Sequence, residues 1–290
     1  MKFGQVSNPE LVDFTLPEDH PETKALLKKN QNKRPFKVYV GCAKWNRKDL
    51  KGFYPRGTKD ELRYYATQFN SIELNATFYH SPETAQVISW KEKTPGGFQF
   101  YPKVPNIISH FKRLIKTEAP VNTFCDAIRH FDDQLGLSFL QLHDNFKPKD
   151  FDRIQSFVTA YPGDIPLAVE LRNEEWFTPG EAGDAFFNLL KKHKRTAIIV
   201  DTAGRRDMLH MRLTTPHAFI RYVGANHATD YNRLDDWLER IKKWRKEGLQ
   251  SLHFFVHQNI EKASPLLSAY FIKKLNAAFD LELHVPEMPS

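Results

Sequence analysis

Eight short β-type runs alternate with helix-like segments along this 290-residue chain, several of the runs end in ionisable or amide side chains, and no Gly-rich phosphate-binding turn follows the first run. These observations predict an α/β protein of the (β/α)8 TIM-barrel class, a single domain of residues 36–290 preceded by an extension of residues 1–35. An open doubly wound sheet is the alternative, and the missing phosphate fingerprint counts against it.

The extension is polar, with Pro9, Pro17 and Pro21, and ends in the basic KKNQNKRP. It reads as a segment packed on the main body, with one helical turn near Glu22 to Lys29. Strand one is Phe36 to Cys42, FKVYVGC, followed by a long Gly/Pro loop. The helix Asp60 to Phe69 places Leu62, Tyr65, Ala66 and Phe69 on one stripe, with Asp60 as its cap. It feeds strand two, Asn70 to Tyr79, NSIELNATFY, whose alternation sets Glu73, Asn75 and Thr77 on one face. A helix over Pro82 to Lys93 precedes strand three, Phe98 to Lys103. The helix Val121 to Leu135, with Gly136 as its C-cap, precedes strand four, Leu137 to His143. A short helix, Phe151 to Tyr161, leads to strand five, Leu167 to Arg172. The amphipathic Phe186 to Lys194 leads to strand six, Thr196 to Asp201, whose unbroken apolar run suits burial on both faces. Strand seven is Phe219 to Gly224. The helix Leu234 to Glu247 carries Leu234, Trp237, Leu238, Ile241 and Trp244 on one stripe, strand eight is Ser251 to His257, and Ala263 to Phe279 is the last helix.

Hydrophobic residues at 41% and charged residues at 27% are ordinary for a soluble globular protein and favour neither a disordered nor a membrane-embedded chain. The N-terminus has no apolar targeting core and no run is long enough to span a bilayer, so a cytoplasmic protein with no membrane partner is expected. The formal charge of +7 attracts nucleic acid, phosphorylated metabolites and other anions alike. Two of the three basic clusters, Lys191 to Arg195 and Lys242 to Lys246, fall on helix-like stretches; solvated helix faces are favoured there over a nucleic-acid patch. Only Cys42 and Cys125 are present, which fits small core residues in a reducing compartment rather than a disulfide framework. The sequence carries no signal for oligomeric state.

A set of motifs runs in order from residue 36 onward: Gly41 with Trp45; Phe53, Tyr54 and Pro55; FNSIELNATFY from Phe69 to Tyr79; Trp90; Thr94 and Pro95; Phe98, Phe100 and Lys103; Gln141 and Leu142; Val169 to Arg172 with Trp176; Asp201; and Arg221 through Gly224. In these the chain resembles the domain of unknown function 72, or YecE-like, family. The resemblance implies a TIM barrel of uncharacterised activity. The chain departs from the family pattern with His143 and Asp144 after strand four, with Tyr222 and Val223 in strand seven, and with His257, Gln258 and Asn259 at the end of strand eight.

In a barrel alternate side chains point inward and reactive groups lie at the strand C-terminal ends. Glu73, Glu170 and Asp201 are thereby the candidate catalytic groups. Asn75, Lys103, Gln141, Arg172, Arg221 and His257 are candidate ligand-binding groups, and Trp45, Tyr79 and Trp176 could stack on a sugar or base or, equally well, pack under loops. Glu73 and Glu170 are the natural acid/base pair if one has a raised pKa, as in glycoside hydrolysis. Arg172 and Arg221 could clamp a carboxylate or phosphate. Glu170, Asp201 and His257 could hold a divalent metal, although no metal-ligand spacing is present and no motif requires a cofactor. Ion pairs such as Glu170 with Arg172 or Lys103 also fill barrel interiors purely as structure. The expectation is an enzyme acting by acid/base chemistry on a small polar, anionic or sugar-like substrate. A nucleic-acid-binding protein or metal-dependent nuclease and a non-catalytic metabolite-binding barrel are the alternatives.

Overall fold

The structure, a computed structural model, describes residues 4–31, 34–178 and 180–288. Among the described residues the strands are β1 (Lys37–Cys42), β2 (Ser71–Leu74), β3 (Gln99–Pro102), β4 (Ser138–Gln141), β5 (Leu167–Glu170), β6 (Thr196–Asp201), β7 (His217–Gly224) and β8 (Ser251–Gln258). The helices are α1 (Pro21–Lys29), α2 (Glu61–Gln68), α3 (Thr84–Glu92), α4 (Glu118–Ile128), α5 (Phe151–Ala160), α6 (Glu181–Lys192), α7 (Thr229–Glu247) and α8 (Ser264–Phe279).

The α/β alternation is as expected, but the closed eight-stranded barrel is not formed. The ladders make an open six-stranded parallel sheet, in the order β1-β8-β7-β6-β5-β4, and a separate parallel pair, β2-β3. The reason lies at the two seams. Between β1 and β2, side chains stand in for backbone pairing: the Asn70 amide accepts from Val40 N at 3.0 Å and donates to Val38 O at 2.8 Å. The Tyr65 hydroxyl accepts from Cys42 N at 2.7 Å and donates to Ser71 O at 3.0 Å. Gly41 permits the approach, because a Cβ there would lie 2.2 Å from Ser71 O. Between β3 and β4 only isolated bridges occur, Phe100 to Leu135 and Lys103 to Phe139.

Two further expectations change. The second strand ends at Leu74, and Asn75–Phe78 turns into a 3-10 helix, so Thr77 leaves the strand face and donates instead to Leu74 O and Lys103 O. The helix expected to reach Leu135 stops at Ile128 and continues as a 3-10 segment kinked at Asp132, so Gly136 caps nothing; its N–H donates to Phe100 O.

Alternation along the strands divides the core in two. Tyr101, Phe139, Ala168, Ile198, Val200, Phe219 and Phe255 fill the concave side of the sheet, while Val38, Leu140, Val169, Ile199, Ile220 and Phe254 meet the helices. The α7 stripe of Leu234, Trp237, Leu238, Ile241 and Trp244 is buried as its spacing predicts. Burying one such large apolar side chain contributes about 2–3 kcal/mol. Gly248 ends α7 at φ 130°, where a Cβ would collide with Leu27 O of α1. The N-terminal segment is tied down by Thr23, which donates to Met211 O and accepts from Leu213 N, and by Asp19, which pairs with Arg240 and Lys243.

Candidate functional site

The C-terminal ends of β2, β3, β4, β5, β7 and β8 bring Glu73, Lys103, Gln141, Glu170, Arg221 and His257 together on the concave side. One guanidinium holds the two carboxylates. Arg221 grips Glu73 in a bidentate contact, Nε to Oε2 and Nη2 to Oε1, both 2.8 Å, and its Nη1 donates to Glu170 Oε2. Glu170 Oε1 also accepts from Gln141 Nε2 and Arg172 Nε, each at 2.8 Å. Glu73 Oε1 accepts from Asn75 Nδ2 at 2.8 Å, and Glu73 Oε2 lies 3.1 Å from His257 Nε2. Both carboxylates are fully buried.

Burial by itself would favour neutral Glu73, but the attraction of Arg221 and His257 outweighs it and holds the carboxyl well below the usual range. Glu170 falls in the same way to about 2, with burial opposed by Arg221 and Arg172. Neither carboxyl has the raised pKa that a glycosidase acid requires. Arg221, with its three nitrogens committed to Glu73 and Glu170, is a keystone of this network rather than a clamp for a ligand anion.

Lys103 is the opposite case. Its ammonium donates to Gln141 Oε1 at 2.9 Å and lies 4.1 Å from the centre of the Phe78 ring, while no carboxylate of the described residues comes within ion-pair distance. Desolvation first, and then the nearby Arg221 charge, lower its pKa to about 7. Above this group opens a cleft of about 510 Å³, lined by Ala43 to Asn46, Glu73, Asn75, Phe78, Tyr79, Lys103, Arg221 and His257. Asn75 commits Nδ2 to Glu73 and to Ala43 O, and its Oδ1 has no partner among the described residues. Trp45, edge-on to Trp90, and the exposed Tyr79 supply aromatic walls. Lys44, Asn46 and Phe78 were not singled out from the sequence; the available signal was their adjacency to Trp45 and Tyr79.

Two expected site residues lie elsewhere. Asp201 faces the helices: Arg233 Nη2 donates to Oδ1 at 2.8 Å, Trp237 Nε1 donates to Oδ2 at 2.7 Å, and Arg206 completes the cage. In β6 Ile198 and Val200 occupy the concave face, so by the two-residue period Asp201 cannot. Trp176 is a core residue, donating to Phe146 O at 2.7 Å and packed on Phe151 and Phe186. With Asp201 turned away, Glu170, Asp201 and His257 do not converge, and no group of three or more His, Cys, Asp or Glu among the described residues is placed to hold a metal. No helix among them is long and apolar enough to cross a membrane.

Comparison with known proteins agrees with the resemblance seen in the sequence. The chain is 26% identical over 231 residues to the UPF0759 protein YecE of Escherichia coli K12, covering 72% of this chain and 82% of that one. It is 28% identical over 152 residues to the UPF0759 protein YunF of Bacillus subtilis 168, covering 49% and 53%. In three dimensions it is similar to the crystal structure of a DUF72 family protein from Enterococcus faecalis V583, with a TM-score of 0.67 at 18% identity over 83% of this chain and 98% of that one. The family model described as "Protein of unknown function DUF72" matches residues 39–289, and the chain belongs to that family.

Proposed function

We propose that this protein is a small-molecule enzyme in which Lys103 transfers a proton to or from a polar, anionic or sugar-like substrate held in the Trp45 and Tyr79 cleft. The observation that carries the reading is the desolvated Lys103 at the cleft, bonded to a neutral amide and a ring instead of a carboxylate. An amine poised at about 7 holds comparable amounts of acid and base at neutral pH, which is where proton transfer is most effective. Glu73 and Glu170, saturated with donors, serve in this reading as a fixed negative base beneath the site. Asn75 Oδ1 and the His257 ring supply directional contacts, and the aromatic walls suit the apolar face of a sugar.

The test has two parts. Competitive acetylation of the lysines with acetic anhydride across pH 5–10, read by mass spectrometry, should give Lys103 a midpoint near 7. Incubation of wild type and Lys103→Met with a mixed pool of organic acids and sugar phosphates should show depletion of a component only by wild type. A Lys103 midpoint near the ordinary lysine value, or equal depletion by both proteins, would overturn the reading.

A further inference from the structure

A second cavity, of about 520 Å³, opens at the opposite end of the sheet, where β1, β3, β6, β7 and β8 begin. Its size falls within the range of ligand pockets, roughly 300–1,000 Å³. Its charge is one-sided: Arg34, Lys37 and Lys194 lie around it, and no Asp or Glu is among the residues that line it. Lys37 and Lys194 are exposed and form no ion pair with any described residue.

The inner wall is aromatic and polar together. Tyr39 stacks on His253, with ring centres 5.4 Å apart and planes 12° from parallel, giving a flat apolar surface. Behind it runs a hydrogen-bonded chain: the Tyr101 hydroxyl meets His253 Nδ1, His253 Nε2 lies 2.7 Å from Ser251 Oγ, and Ser251 Oγ lies 2.8 Å from His217 Nδ1. The chain ends at the cavity, where His217 Nε2 and the Tyr39 hydroxyl have no partner among the described residues. Burial holds both His217 and His253 below the ordinary histidine value, so at neutral pH the rings offer directional hydrogen bonds rather than charge.

We infer that this cavity is a second ligand site, for a small flat carboxylate whose ring lies against Tyr39 and whose anionic end meets His217, Lys37 and Lys194. Flatness follows from the stacked wall, and negative charge from Lys37 and Lys194, which form no ion pair with any described residue. The N-terminal end of such a sheet is ordinarily the stabilising face, without a ligand. Here its aromatic floor, unpartnered polar atoms and one-sided charge occur in a single concavity, which packing alone does not require.

The inference is tested with 2-naphthoate as the probe, by calorimetric titration of the full chain, with the uncharged 2-naphthamide as control. Naphthoate should bind, and the amide should bind about tenfold more weakly or not at all. The double substitution Lys37→Ala with Lys194→Ala, at exposed positions, should weaken naphthoate about tenfold, the loss expected of two rim cations. Its unfolding midpoint should stay at the wild-type value. Lys103→Met should leave naphthoate binding unchanged, which separates this cavity from the cleft at the other end. Absence of naphthoate binding at millimolar concentration, equal affinity for the amide, an unaffected double variant, or loss of binding in Lys103→Met would each overturn the assignment.

Discussion

Replacing Lys103 by Met should stabilise the protein, and by an amount that depends on pH. Lowering the lysine from its ordinary 10.5 to about 7, at about 1.4 kcal/mol per pH unit, places the cost of the buried ammonium at about 5 kcal/mol. The folded-state pKa lies below the unfolded one. Below pH 7 both states are therefore protonated and the whole cost is present, whereas from pH 7 to 10.5 the unfolded chain holds a proton that the folded one lacks, and stability rises with pH. At pH 9 about 2 kcal/mol of the cost remains. At pH 6, losing the bond to Gln141 and the cation over the Phe78 ring offsets about 1–2 kcal/mol; at pH 9, where the folded lysine is neutral, only the bond to Gln141 is lost, about 1 kcal/mol. Lys103→Met should thus be about 3 kcal/mol more stable than wild type at pH 6 and only about 1 kcal/mol more stable at pH 9. Urea unfolding at the two pH values, analysed with a common slope, measures this directly. A difference between variant and wild type that is the same at both pH values would refute the desolvation argument.

Other substitutions probe the surrounding network. Arg221→Met leaves Glu73 and Glu170 buried without their shared cation and should cost about 3–5 kcal/mol in urea unfolding; a loss under about 1 kcal/mol would mean that the carboxylates are not held by this guanidinium. Asp201→Asn removes one of the two carboxylates paired with the buried Arg233, leaving Asp230, and should cost about 3 kcal/mol, while Lys103 keeps its acetylation midpoint; a shifted midpoint would tie Asp201 to the cleft after all. Asn70→Ala strips Val40 N and Val38 O of their partners and should cost about 2 kcal/mol. Hydrogen exchange in that variant should quicken first at Val40; an unchanged rate there would show that the seam does not depend on the Asn70 amide.

How far the site could be read depended on whether each strand showed its faces. At the end of β5 and just beyond it, Glu170 and Arg172 alternate with Val169 and Leu171, and Arg172 does bond to Glu170. In β7, Arg221 stands out in an apolar run and does lie in the concave centre. The run TAIIVD of β6 is buried throughout, so nothing in its pattern marks which face Asp201 takes. A slip of one residue in reading it sends the side chain to the opposite side of the sheet. Trp176 stayed open between two places for a related reason, since an aromatic residue after a strand looks the same whether it walls a cleft or packs under a loop, and the structure puts it in the core.

The sequence by itself determined the order and type of the elements, the family, and the gathering of Glu73, Lys103, Gln141, Glu170, Arg221 and His257 at one end of the strands, because local periodicity and strand direction dictate these. Tertiary structure alone decided that the sheet stays open. The Asn70 amide and Tyr65 hydroxyl occupy the seam between β1 and β2, and no pattern along the chain reports a side chain replacing a ladder. It also decided which group of the site is poised near neutrality. Each pKa there balances burial against neighbours brought from distant parts of the chain, so the carboxylates that looked reactive are locked by Arg221, and the lysine that looked like a binding residue is the one left without a carboxylate.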